Sequence, residues 1–497
     1  MTRPRTVSQI ALPRRIAQCM ALVVIGTLTV LGCGKSNTSS ATATASDLTN
    51  RSFAFTNGAG PNLATVLGLP QGQAFTLQFG NFGGTNVGPV TLDSGGSAAS
   101  GTVTLGSCTF RFDRSTFPAG RGPQSGTQFT IDPCQSNSND KTLRLGTASG
   151  EALVSAPASP LLMTNVAVVL TTDASTGSYS VVDLALRSVF KDIKLGGVHS
   201  DAIARFFSGR VYVVNRLGVD SIQVLDPQLG FITPTNGVLS VGNGTNAWDI
   251  VFVNANKAYV SRLGSPKLLI IDPTTLRSTG DLDLSRLGKP TDSNGSPAPA
   301  YMLIHNGLVY VALQHQGARG EVVVIDPITD RIITVITLNG QNPVSEFQFS
   351  STLNRILISS VGELAVNDGG IEAINPDTHT VDTQFAVTEA TMGGDITAFV
   401  MVSRTKGFAI VSDATFAHSL ITFDPSSGQR LHRLVGPLNV VMAHLAINSR
   451  NEVYMAVIDT TIATSGLRIF DVETDNEITA TPLNVGQFSP VFTVFIE

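Results

Sequence analysis

Val224-Leu-Asp226-Pro227, Ile270-Ile-Asp272-Pro273, Val324-Ile-Asp326-Pro327, Ala373-Ile-Asn375-Pro376 and Thr422-Phe-Asp424-Pro425 are five copies of one phrase, a short apolar run ending in an acid or amide and then proline. Ser180-Val-Val-Asp183 before them and Ile469-Phe-Asp471 after them lack the proline and complete a set of seven. The spacings are 43, 46, 54, 49, 49 and 47 residues. A period in the forties containing several short strands is the mark of a β-propeller blade. Asp opening a turn accepts bonds from amides ahead of it, and Pro at the next place presets φ. The recurring Asp therefore has a complete structural explanation and needs no ligand.

Each unit carries further matching strands. Before the Asp-Pro turn stand Val211-Tyr-Val-Val-Asn215, Ala258-Tyr-Val-Ser261, Val309-Tyr-Val-Ala312, Ile356-Leu-Ile-Ser359, Phe408-Ala-Ile-Val411 and Val453-Tyr-Met-Ala456. Polar segments such as Arg216-Leu-Gly-Val-Asp220 join the two runs as hairpins. These units resemble the YVTN family of seven-bladed propellers, whose repeat has Tyr-Val-Thr-Asn, an Ile-Asp turn and a closing Val-Gly. Val211–Asn215 matches the first element best, and Leu239-Ser-Val-Gly242 and Leu483-Asn-Val-Gly486 match the last. The resemblance covers residues 160–497 and implies the fold; the family mixes binding modules, surface proteins and relatives of enzymes. The C-terminal run Pro490-Val-Phe-Thr-Val-Phe-Ile496 is an inner strand with no unit after it, while the first unit, from Val166, lacks one before it. The last strand is thus expected to close the ring on the first blade.

Arg3, Arg5, Arg14 and Arg15 precede the apolar stretch Ala21–Leu31, which reads as a signal peptide over residues 1–32. Val30-Leu31-Gly32-Cys33 resembles the bacterial lipoprotein box, which implies cleavage before Cys33 and lipid on that residue. Gly34 follows rather than Asp, so the resemblance implies an outer-membrane anchor in the cell envelope. Residues 33–47 read as a flexible tether of Ser, Thr, Ala and Asn. Residues 48–152 read as a small β-sandwich or barrel, with alternating runs such as Gln73-Ala-Phe-Thr-Leu-Gln-Phe79 and Thr109-Phe-Arg-Phe112. Cys108 and Cys134, the remaining cysteines after cleavage besides Cys33, are expected to form a disulfide.

Charged residues are 14% of the chain and the net charge is −5, with no Lys/Arg cluster beyond the signal peptide, which argues against nucleic-acid binding. There is no phosphate-cradling loop, no CxxC pair for zinc and no CxxCH for covalent c-type haem. Aligning the inner strands places Asp201, Asp249, Glu346, Asp395 and His444 at one mouth of the central channel, with Trp248 beside them. Oxygen ligands in such a ring suit Ca²⁺, and a carboxylate there can act as a general base. A solvated rim of turn residues is the plainer reading. His199, His305, His315, His379, His418 and His432 are scattered, and no catalytic Ser-His-Asp set emerges from the spacing.

The leading expectation is an all-β, lipid-anchored binding or scaffold protein without chemistry of its own, docking an envelope protein or glycan across the propeller mouth. No catalytic residue and no cofactor is identified, Ca²⁺ excepted as a candidate ion. The alternative is a metal-dependent hydrolase or lactonase at the acidic mouth; a third, weaker reading is a redox partner like the quinoprotein subunits.

Overall fold

The computed structural model describes residues 43–497 apart from short internal stretches, the longest being 135–140 and 460–464. The signal peptide, Cys33 and most of the expected tether lie outside the described residues. Among the described residues no helix is long and apolar enough to cross a membrane.

The C-terminal part is the seven-bladed propeller that the repeats require. Blade 2 shows the pattern, with antiparallel strands Ala202–Phe207, Arg210–Asn215, Ser221–Leu225 and Val238–Ser240 running from the inside outward. The inner strand starts at one mouth, so the first hairpin and the Asp-Pro turn lie at the far face, and the loop between the second and third strands returns to the mouth. The first hairpin of blade 4 is His305-Asn-Gly-Leu308, with Asn306 and Gly307 both at positive φ, the tight turn that matches strand twist. All seven repeat residues do what their position demands. Asp183, Asp226, Asp272, Asp326, Asn375, Asp424 and Asp471 each accept the backbone N–H of the residue two places on. These bonds hold the Asp272 carboxyl below its usual range, the Thr275 N–H foremost, and the Thr474 side chain and backbone do the same for Asp471.

Blades are joined to their neighbours by buried hydroxyls. Tyr212 Oη donates to the Pro273 carbonyl of the next blade and Tyr310 Oη to Pro376 O. Toward the mouth, Ser261 Oγ donates to Ala300 O and Ser359 Oγ to Ile396 O, both at 2.6 Å. Between blades the packing is Val, Ile, Leu and Ala, as in the cluster that joins blades 1 to 3. Blade 1 is completed from the chain end: Ser489–Ile496 pairs antiparallel with Val166–Thr172, setting Val166 opposite Ile496. Among the described residues blade 7 has three regular strands, and Glu477 and Leu483 bridge its outer edge.

The N-terminal part is an antiparallel sheet of eight sequential strands from Arg51–Phe55 to Ala152–Val154, with Ser159–Pro160 added beside the first. It curls into a nearly closed barrel around Phe53, Phe55, Phe75, Phe79, Phe110 and Phe129 and further phenylalanines. Alternation does this, since strands such as Gln128–Asp132 bury every second residue. The Phe55 and Phe75 rings stack at 4.5 Å and Phe110 and Phe129 at 5.3 Å. Cys108 and Cys134 form the disulfide, tying together neighbouring strands that pair Thr109 with Thr130. Residues 43–47, read as tether, belong to this domain: Ala43 and Leu48 enter its core, and buried Asp47 pairs with buried Lys141 at 3.6 Å.

Candidate functional site

The inner strands of all seven blades surround a channel of about 570 Å³. Its wall is mostly apolar and includes Phe206, Phe347, Phe399 and Phe492. At the mouth where the inner strands begin, three of the expected ring residues come together around a fourth that the sequence reading missed. Arg205 Nε donates to Asp249 Oδ1 at 2.9 Å, and Arg205 Nη1 pairs with Glu346 Oε1. His444 Nε2 donates to Glu346 Oε2 at 2.9 Å, while its Nδ1 accepts the Thr493 N–H, which fixes the tautomer. The imidazole stacks on Phe492 at 3.9 Å, and the Arg205 guanidinium lies over the same ring at 5.5 Å.

Asp249 is fully buried and both of its oxygens accept, Oδ1 from Ile250 N as well as Arg205, Oδ2 from Met302 N. Burial pushes its carboxyl upward, and the Arg205 guanidinium opposes that. For Glu346, burial is outweighed by Arg205 and by the His444 bond, and its carboxyl is held down at about 2. Arg205 in turn is raised by the two carboxylates despite its burial. A second layer lies alongside. Arg216 pairs with Asp201 at 3.4 Å, donates to Tyr301 Oη at 3.1 Å and stacks over Trp248 at 4.1 Å.

Strand register explains which expected residues meet. Asp249 is opposite Ser261 and His444 opposite Ala456, each the second place beyond the central residue (Tyr259, Tyr454) of the neighbouring strand. In blade 6 that place, Val411, is opposite Ile396, so Asp395 is one residue early and faces the other way. Asp395 Oδ2 accepts Ala365 N in a loop of blade 5, and Asp395 is not part of the channel ring. Asp201 precedes its strand and serves the outer layer. The ring is therefore not an oxygen cage. Arg205 stands between Asp249 and Glu346 and pairs with both, where a divalent cation bridging the two carboxylates would sit. Among the described residues no three His, Cys, Asp or Glu side chains gather where they could hold a metal ion.

Asp395 lies instead near Glu389 and Asp368. Glu389 is fully buried and accepts Gly369 N at 2.8 Å and Ile396 N at 3.2 Å. Burial, with Asp395 and Asp368 nearby, pushes its carboxyl up to about 7.

No protein-family model matches the chain, and no curated protein matches it in sequence. Solved structures resemble it in shape. A putative 6-phosphogluconolactonase from Bacteroides fragilis is 10% identical at a TM-score of 0.49, over 67% of this chain and 98% of that one. The dihydro-heme d1 dehydrogenase NirN is 13% identical at 0.43, over 74% and 75%. The hydrazine synthase of Kuenenia stuttgartiensis is 13% identical at 0.36, over 47% and 66%. These likenesses say nothing about ligand or activity. The chain's own strand order makes it a seven-bladed β-propeller protein carrying an N-terminal barrel.

Proposed function

We propose that the protein is a lipid-anchored binding or scaffold protein of the bacterial envelope, a YVTN-type propeller with no chemistry of its own that docks an envelope protein or glycan at the propeller mouth. The observation that carries this reading is Arg205: it consumes the two carboxylates that a metal or a general-base mechanism would require. The resemblance of Val30–Cys33 to the lipoprotein box supports the anchor, and Gly34 after it supports an outer-membrane place. The repeat residues Val211–Asn215 and the Val-Gly pairs support the family.

Photocrosslinking in intact cells tests the reading. The probe is placed at Leu217, 60% exposed in the loop beside Arg216, or at Ile328, 89% exposed in the Asp326-Pro327 turn of the far face. A discrete envelope adduct from Leu217 and none from Ile328 is expected, and Cys33→Ala should abolish fatty-acid labelling. The alternative, a metal-dependent hydrolase or lactonase, requires a divalent cation to raise the unfolding midpoint and Asp249→Asn to cancel the rise. At 100 times its dissociation constant such an ion would add about 2.7 kcal/mol. That result would replace the scaffold reading.

A further inference from the structure

The channel combines an aromatic wall with an unbalanced charge. At its mouth Arg205 is set against two carboxylates, Asp249 and Glu346. His444, accepting the Thr493 N–H on Nδ1, meets Glu346 as a neutral donor and adds no charge. The neighbouring Arg216–Asp201 pair balances itself. Two carboxylates against one guanidinium leave an excess of one negative charge, and of the two acids Glu346, 31% exposed, is the one a ligand can reach, Asp249 being fully buried. Beyond it the wall offers the half-buried rings of Phe206 and Phe347, with buried Phe399 beside them. Ring faces attract cations, most strongly where water is excluded. A metal ion would exchange its hydration for too few free oxygens, because Arg205 and His444 already occupy those of Glu346. A quaternary ammonium has no N–H to desolvate, loses little hydration and gains apolar burial.

We propose that the channel binds a small organic cation, a quaternary ammonium with an apolar body, with its charge beside Glu346. The volume of about 570 Å³ accommodates one such molecule. The inference rests on the reading of the propeller as a binding module and names the ligand class of its channel.

Calorimetric titration of the full-length chain with benzyltrimethylammonium, benzyl alcohol and benzenesulfonate tests it, with the fluorescence of Trp248, the chain's one tryptophan, as a second readout at the mouth. One-site binding of the ammonium, far weaker binding of the alcohol and none of the sulfonate are expected. Glu346→Gln should weaken the ammonium about tenfold. Ala446→Trp, which places an indole in the channel wall, should abolish binding. Should that variant not melt cooperatively, Phe347→Leu replaces it with a severalfold loss expected. Equal binding of all three probes, no saturation by the ammonium, or an affinity untouched by Glu346→Gln overturns the proposal. A Leu217 crosslink that persists in that event leaves the binding-module reading standing; its loss as well removes both.

Discussion

The N-terminal barrel curls one sheet around a packed cluster of phenylalanines, whereas the propeller arranges seven sheets around an open channel of about 570 Å³. In the barrel the inward positions are the core, so Phe110 and Phe129 are fully buried and every second residue is committed to packing. In the propeller the core lies between blades, supplied by residues such as Val213, Val260 and Ile358. Its channel-facing positions are released from that duty. Arg205, Glu346 and His444 stand there, where a polar side chain costs little packing and gains partners across the ring. The same polypeptide thus shows one domain whose interior is filled by its core and one whose interior is left open.

The most severe way to break the contrast is to delete residues 488–497. This removes the inner strand of blade 1, with Phe492 and Ile496 buried for about 1.5–3 kcal/mol each. Total stability is typically only about 5–15 kcal/mol. The propeller should lose cooperative unfolding and become protease-sensitive, while the barrel survives as a resistant fragment; normal melting of the truncated propeller would refute the role given to this strand. Next in size is a matched pair of truncations. Phe129→Ala in the barrel should cost about 3–5 kcal/mol in denaturant unfolding, and Phe347→Ala in the channel wall well under half of that. Equal costs would mean that the channel wall is packed as tightly as the barrel core. The smallest expected effect is on pH. The Glu389 carboxyl stands at about 7 in the fold, against an ordinary value of 4.5. Because it is raised, its stabilising contribution is complete below the ordinary value and is lost as pH rises through about 7. The propeller midpoint should fall by a few degrees between pH 5 and 8, and Glu389→Gln should flatten that fall; an unchanged slope would place its origin elsewhere.

The blades were legible because the Asp turn is local: a carboxylate bonding the amide two places on needs nothing from the rest of the chain, so it recurs wherever a turn does. The alternating Phe runs of the barrel were legible for the same reason. The ring was legible only in part. Asp249, Glu346 and His444 fall at equivalent places, but irregular pairing between Ile396 and Ala398, and between Met442 and His444, shifts the count from blade to blade. Asp395 was therefore assigned to a face it does not occupy. Arg205 was missed because its partners are 44 and 141 residues away, in blades 3 and 5. Its signal was present: a lone arginine inside Ala202-Ile-Ala-Arg-Phe-Phe207, an inner strand otherwise apolar, demands a carboxylate from another blade. Arg216, by contrast, sits in an ordinary hairpin loop, and nothing local distinguishes it from a solvated one.

The pairing of Val166 with Ile496 also sets a clock. During synthesis the blades between them can form from contiguous chain as they emerge, but the first blade keeps its inner edge open until Ser489–Ile496 has been made. Throughout that interval the Val166–Thr172 strand exposes an unpaired apolar edge, the kind of surface that recruits chaperones or a second chain. Closure of the ring, and with it assembly of the wall around Arg205 that Phe492 completes, thus has to follow synthesis of a strand far along the chain from its partner.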